Sequence, residues 1–197
     1  MGYDINTLTD GCYEGTTCLI NKFDIRDSEK LGSVESQITL AKISMLHQKP
    51  LKGNFDFEHY KAIHRFLFGD LYEWAGTVRT VNMSKKGTLF AKVDEIETIA
   101  CAIFERVKKN NCFKGDSFDE FVDDITDLYC ATNYLHPFRE GNGRTQRVFL
   151  SLLANEAGFD LNFSKADTDG LLIATIHAAN GVESYLKDIL QEIITKK

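Results

Sequence analysis

His136-Pro137-Phe138-Arg139-Glu140-Gly141-Asn142-Gly143-Arg144-Thr145-Gln146-Arg147 runs without a break into Val148-Phe149-Leu150-Ser151-Leu152-Leu153-Ala154. The second part is apolar on nearly all sides, the pattern of a helix enclosed at the centre of a bundle. Pro137 disfavours helix at the residue before it, so a helix through residues 128–134 should stop near His136. His136 then stands at the mouth of a loop, and Gly141-Asn142-Gly143 carries that loop into the enclosed helix. Whatever the loop presents is held by the most rigid element of the fold.

Outward from this stretch the periodicity is mostly helical. Ile96, Ile99, Ala100, Ile103, Phe104 and Val107 share one helical face. Phe118, Phe121, Val122, Ile125, Leu128 and Tyr129 share another, opened by the capping box Ser117-x-x-Glu120. Val182, Tyr185, Leu186, Ile189, Leu190 and Ile193 form a third, and weaker stripes cover residues 28–47 and 55–68. Thr77-Val78-Arg79-Thr80-Val81-Asn82-Met83 is instead rich in β-branched residues, with a turn at Ser84-Lys85-Lys86-Gly87 before Thr88-Leu89-Phe90, which reads as a β-hairpin. The expected fold is all-α with one β-hairpin appended: an irregular segment over residues 1–20, then a single domain over 21–197.

Bulk composition narrows the function. With 43% hydrophobic and 26% charged residues the chain reads as an ordinary folded domain. A net charge of -6 gives the surface as a whole no pull on nucleic acid. The apolar runs, such as Leu171-Leu172-Ile173-Ala174, are too short to span a bilayer, so no membrane partner is expected. No basic-then-apolar segment opens the chain, and the five scattered cysteines suit a reducing compartment, so the expected location is the cytoplasm.

The loop carries the chemistry. Glycines at a helix start let backbone N–H groups approach an anion, and the helix dipole favours negative charge there. Arg144 and Arg147 lie three apart on the first turn, so their guanidinium groups reach the same neighbourhood and suit more than one phosphate. An imidazole, His136, can take a proton from a hydroxyl near neutral pH, and a carboxylate beside phosphates, Glu140, most naturally holds Mg²⁺. His-Pro, Gly-x-Gly or Arg-x-x-Arg alone would read as plain structure. Together within twelve residues they point to transfer of part of a nucleotide onto a hydroxyl.

The segment HPFREGNGRTQR resembles the signature of the Fic family, His-x-Phe-x-Asp/Glu-Gly-Asn-Gly-Arg-x-x-Arg, at each defined position. Ala62-Ile63-His64-Arg65-Phe66-Leu67-Phe68 and Tyr72-Glu73-Trp74-Ala75-Gly76-Thr77-Val78-Arg79 are similar to the approach to the hairpin in stand-alone bacterial Fic proteins, so the likeness covers residues 21–190. The resemblance implies a Mg²⁺-dependent enzyme moving AMP from ATP to a Tyr, Thr or Ser hydroxyl of a target protein. His136 would be the general base, Phe138 the anchor of the loop and Glu140 the metal carboxylate. Gly141, Asn142 and Gly143 would line the phosphate nest, with Asn142 on the α-phosphate. Arg144 would meet the β-phosphate region, and Arg147 the γ-phosphate or an inhibitory glutamate. Lys85, Lys86, Gly87, Thr88 and Phe90 would belong to a flap that faces the nucleotide and docks the target chain.

Members of that family are often restrained by a helix carrying Ser/Thr-x-x-x-Glu-Gly/Asn, whose glutamate pairs with the last signature arginine. Here Leu31-Gly32-Ser33-Val34-Glu35-Ser36 is the nearest match, with Glu35 in the glutamate position and neither flanking requirement met. The pattern looks closer to the class restrained by a separate antitoxin protein, and a self-modifying, toxin-like or regulatory enzyme, with or without homo-oligomers, is compatible with it. Two other readings stand beside it. A Doc-type kinase would carry a lysine where this chain has Gly143, and a plain nucleotide-binding module would need neither His136 nor Glu140. His64, on an aromatic-rich helix, reads as a core histidine.

Overall fold

The structure, a computed structural model, describes residues 10–85 and 88–197. Its helices are α1 (Ser28–Gln48), α2 (Phe57–Phe68), α3 (Ile96–Lys109), α4 (Phe118–Leu135), α5 (Asn142–Ala157), α6 (Thr168–Ala179) and α7 (Ser184–Ile193). Two short antiparallel pairs accompany them: β1 (Ser84–Lys85) with β2 (Thr88–Leu89), and β3 (Phe159–Leu161) with β4 (Ile194–Lys196).

α5 occupies the centre, with Val148 to Ala154 buried along its whole circumference. α2, α4 and β3 pack around it. The enclosed ring of Phe149 meets Tyr60 edge-on at 5.2 Å and Phe104 at 5.5 Å. Such a helix has no polar face to turn to solvent, so its few polar side chains need partners inside. Gln146 finds them by donating to the Tyr129 carbonyl at 2.7 Å and the Thr132 hydroxyl at 2.9 Å. α4 starts as expected: Ser117 and Glu120 form both halves of the capping box.

The segment before α1 is held by one side chain. Asn21 donates to the carbonyls of Leu19 and Ile25 and accepts from the N–H groups of Phe23 and Ile25. Residues 1–9 of the expected irregular segment lie outside the described residues.

Four expectations need correction. The hairpin is shorter than its β-branched stretch, and its first strand falls on Ser84-Lys85, where a turn was expected. Residues 77–83 have β composition but no strand beside them; the Arg79 N–H bonds the Pro137 carbonyl at 2.8 Å instead. α7 begins only at Ser184, so Val182 precedes it, and Val182 and Tyr185 are exposed while Leu186, Leu190 and Ile193 face the core. Finally, α6 and the β3–β4 pair were not foreseen. β3 and β4 are three residues each and 33 or more positions apart in sequence, too short for a period-2 pattern to register.

Candidate active site

α4 ends where Pro137 requires. His136 caps it in the left-handed region (φ 40, ψ 57), a conformation that strains a non-glycine residue by about 1–3 kcal/mol. The surroundings enforce it. Three carbonyls at this turn accept bonds from the flap and its approach: Tyr134 from the Ala91 N–H (3.0 Å), His136 from Arg79 Nε (2.8 Å) and Pro137 from the Arg79 N–H. Arg79 also donates from Nη1 to Val81 and from Nη2 to Ala91, so this buried guanidinium ties both limbs of the flap to the histidine. Burial lowers its pKa to about 10, which leaves it cationic at neutral pH. The imidazole of His136 lies flat against Phe90, with ring centroids 3.6 Å apart and planes 9° from parallel.

Phe138 is wholly buried between Tyr60 (5.7 Å) and His64 (3.8 Å). His64 is a core histidine as expected, and it also props the loop. The Gly76 N–H donates to its Nδ1 at 2.8 Å, so the proton sits on Nε2, which donates to the Glu140 carbonyl at 3.0 Å. Asn142 closes the loop from the other side: its amide accepts from the Phe138 N–H at 2.8 Å and donates to the Phe138 carbonyl at 2.7 Å. Its side chain is therefore engaged within the loop, and Asn142 offers the site its backbone.

Gly141 precedes α5 at φ 79, and a Cβ there would fall 2.2 Å from the Phe68 ring. Only glycine fits. No side chain caps α5; its first helical bond joins the Thr145 N–H to the Gly141 carbonyl at 3.0 Å, with the N–H groups of Asn142, Gly143 and Arg144 ahead of it. Those groups and the helix dipole make an anion site.

Glu140 Oε1 accepts from the Gly141 N–H at 2.8 Å and stands 3.4 Å from Arg144 Nη2. The same Nη2 lies 2.6 Å from Glu35 Oε1, Arg144 Nη1 reaches Thr39 Oγ1 at 3.3 Å, and the guanidinium carbon sits 4.7 Å over the Phe68 ring. Glu35 in turn accepts the Tyr72 hydroxyl on Oε2. Burial first, then the Glu35 charge, raises the Tyr72 pKa, so the phenol stays a donor. Glu35 thus meets Arg144, not Arg147. Arg147 is largely enclosed, its pKa lowered by burial, and no carboxylate pairs with it among the described residues.

The signature loop and its two arginines line one cavity of about 440 Å³, a normal size for a small-molecule site; Glu35 stands outside it. It brings together Thr88, Phe90, His136, Glu140, the Gly141–Gly143 turn, Arg144 and Arg147. Lys85 pairs with Thr88 through its backbone. The expected contacts of Lys86 and Gly87 lie outside the described residues. One wall escaped the sequence reading. Phe163, Leu171, Leu172 and Ile176 give the cavity an apolar end. The run Leu171-Leu172-Ile173-Ala174 was visible, but α6 is apolar both toward the core and toward the cavity, so no stripe marks it.

Magnesium fits this donor set in one way. Among the described residues no three His, Cys, Asp or Glu side chains cluster. Glu140 would therefore hold the ion jointly with phosphate oxygens of a nucleotide, the usual habit of Mg²⁺.

The sequence model of the Fic/DOC family matches residues 54–154, which takes in α2, the hairpin, the signature loop and most of α5. The chain belongs to the Fic/DOC family. Among its Fic relatives, the protein adenylyltransferase VbhT of Bartonella schoenbuchensis is 33% identical over 181 residues, 92% of this chain and 38% of that protein. The chain thus spans well under half the length of that relative. The probable protein adenylyltransferase y4lH of Sinorhizobium fredii is 36% identical, covering 86% of this chain and 88% of its own. A solved structure of Bartonella tribocorum BepC with bound AMPPNP aligns with a TM-score of 0.90 at 28% identity, over 97% of this chain and 99% of that one. The Fic domain of a Bartonella quintana effector with bound ADP aligns at 0.91 and 27% identity, over 97% of each chain. The mainly helical Fic fold expected from the sequence is the fold present.

Proposed function

We propose that this Fic chain is a protein adenylyltransferase, moving AMP from ATP to a Tyr, Thr or Ser hydroxyl of another protein or of itself. The observation that carries the reading is one cavity holding an imidazole, a helix start with uncapped N–H groups, two arginines, a carboxylate and an apolar end. The purine lies in the apolar end by Phe163 and Leu172. The phosphates lie on the start of α5, with the β- and γ-phosphates toward Arg144 and Arg147.

The hydroxyl proton passes to the His136 imidazole as the oxygen bonds the α-phosphorus. The bond from that phosphorus to the β-bridging oxygen breaks, and pyrophosphate leaves. Arg144 and Arg147 meet the charge that gathers on the departing phosphates, where fixed cations act without reorganising. Magnesium held by Glu140 would add further charge neutralisation. Phe90 keeps the imidazole plane fixed, and the β1–β2 flap, with Leu89 74% exposed, offers a strand edge to the target chain.

Regulation by a separate antitoxin protein suits Arg147, which has no described carboxylate partner and can take one from another chain. No described helix is long and apolar enough to cross a membrane, and we take the cytoplasm as the working compartment.

Wild type and His136→Ala are incubated with Mg²⁺ and ATP labelled on the α- or the γ-phosphorus, then resolved on a gel with lysate proteins. Protein labelled from α and not γ, and only by wild type, is the expected result. Labelling from γ alone makes the protein a kinase, and α label that persists in His136→Ala removes the base assigned here.

A further inference from the structure

We infer that Glu35 is a positioning residue that holds Arg144 in its nucleotide-binding orientation. The inference rests on the adenylyltransferase reading for which ligand Arg144 serves. Its geometric basis is independent of that reading.

Arg144 stands between two carboxylates on different elements. Glu140 lies one turn before it along its own chain, and Glu35 comes from α1, 109 positions away. The distances are unequal: 2.6 Å to Glu35 and 3.4 Å to Glu140. The shorter contact, from α1, fixes the guanidinium, with Thr39 taking Nη1 one turn further along α1 and Phe68 flooring the group.

Glu35 is built as a fixture. It is 8% exposed, and its second oxygen is bound by the Tyr72 hydroxyl, whose ring stacks on Trp74 at 4.4 Å. A carboxylate serving as a removable block must leave when phosphate arrives. Departure of Glu35 would strand the buried Tyr72 hydroxyl and leave its own charge unpaired in the interior, which the fold resists strongly. The arginine exposed to such a block, Arg147, is the one Glu35 does not touch.

The test compares the affinities of AMP and ADP by calorimetry for wild type, Glu35→Gln and Tyr72→Phe, with melting temperatures alongside. Arg144 faces the β-phosphate, so Glu35→Gln should weaken ADP about tenfold and AMP less than about twofold. Tyr72→Phe removes only the hydroxyl that orients Glu35 and should show the same selectivity with a smaller shift, which keeps the test open should Glu35→Gln fold poorly. Tighter ADP binding together with faster AMP transfer in Glu35→Gln would make Glu35 an inhibitor and overturn the proposal. Equal weakening of AMP and ADP in step with the melting temperature would reduce it to a structural residue and overturn it too. Wild type that binds neither nucleotide would sink the underlying reading instead, and the selectivity claim with it.

Discussion

Arg79 Nε donates to the backbone carbonyl of His136 at 2.8 Å, joining two residues 57 positions apart. The bond lets a strained histidine and a two-stranded flap share one fixed frame. The guanidinium satisfies carbonyls on the loop and on both sides of the flap, which a shorter cation with a single head group does not match.

Replacing Arg79 by Lys should therefore lower stability by roughly 2–4 kcal/mol, since buried carbonyls lose charge-assisted partners. AMP transfer should fall further than stability explains, on the order of a hundredfold, because the His136 ring loses its register with the flap. Urea unfolding and single-turnover labelling, both below the unfolding transition, separate the two. Transfer within about threefold of wild type would show that Arg79 does not set the histidine.

Phe138 anchors the loop by burial. Phe138→Ala removes a fully enclosed ring from between Tyr60 and His64 and should cost about 3–5 kcal/mol. Phe138→Leu keeps much of the volume and should lose less than half of that. Denaturant midpoints with an unchanged m-value give the comparison.

Gly141→Ala should be worse than an ordinary left-handed alanine, which costs about 1–2 kcal/mol. The added methyl would also meet the Phe68 ring at 2.2 Å, and Phe68 lies beneath Arg144. We expect at least a tenfold loss of ADP affinity, beyond any change in melting temperature. Unchanged binding would mean that the loop start can shift without moving the arginine.

His64 makes stability depend on pH. Burial, reinforced by the Arg144 charge and opposed by the bond to the Glu140 carbonyl, lowers its pKa from 6.5 to about 4. Between those values the unfolded chain binds a proton that the folded chain refuses. The contribution is thus whole above pH 6.5 and shrinks as pH falls toward 4, by up to roughly 3 kcal/mol. Burial lowers the pKa of His59 as well, in the same sense. Unfolding curves of wild type and His64→Gln across that window should converge as the solution is acidified. A constant gap would show that His64 is not held neutral.

Legibility in the sequence followed chemical type. The loop, its arginines and the enclosed helix were readable because Pro137, Gly141 and the all-round apolar run each restrict the backbone locally. Glu35 was singled out by position along the chain, yet its partner could not be read, since Arg144 and Arg147 differ only in which way a long side chain leans. The hairpin register failed for a related reason. Arg79 looks like one more strand residue until its carbonyl partners are assembled from three separate segments. α6 hid its cavity wall behind uniform hydrophobicity, and β3 and β4 pair only because the fold has already brought them together.

The mutual contact between the Asn142 amide and the Phe138 backbone closes the signature loop on itself with bonds that call on no ligand. An approaching nucleotide then meets a finished surface, and little ordering remains to be done. Association should be a single step, linear in nucleotide concentration, with no slower ordering phase behind it. Discrimination among nucleotides would then reside in how long each one stays.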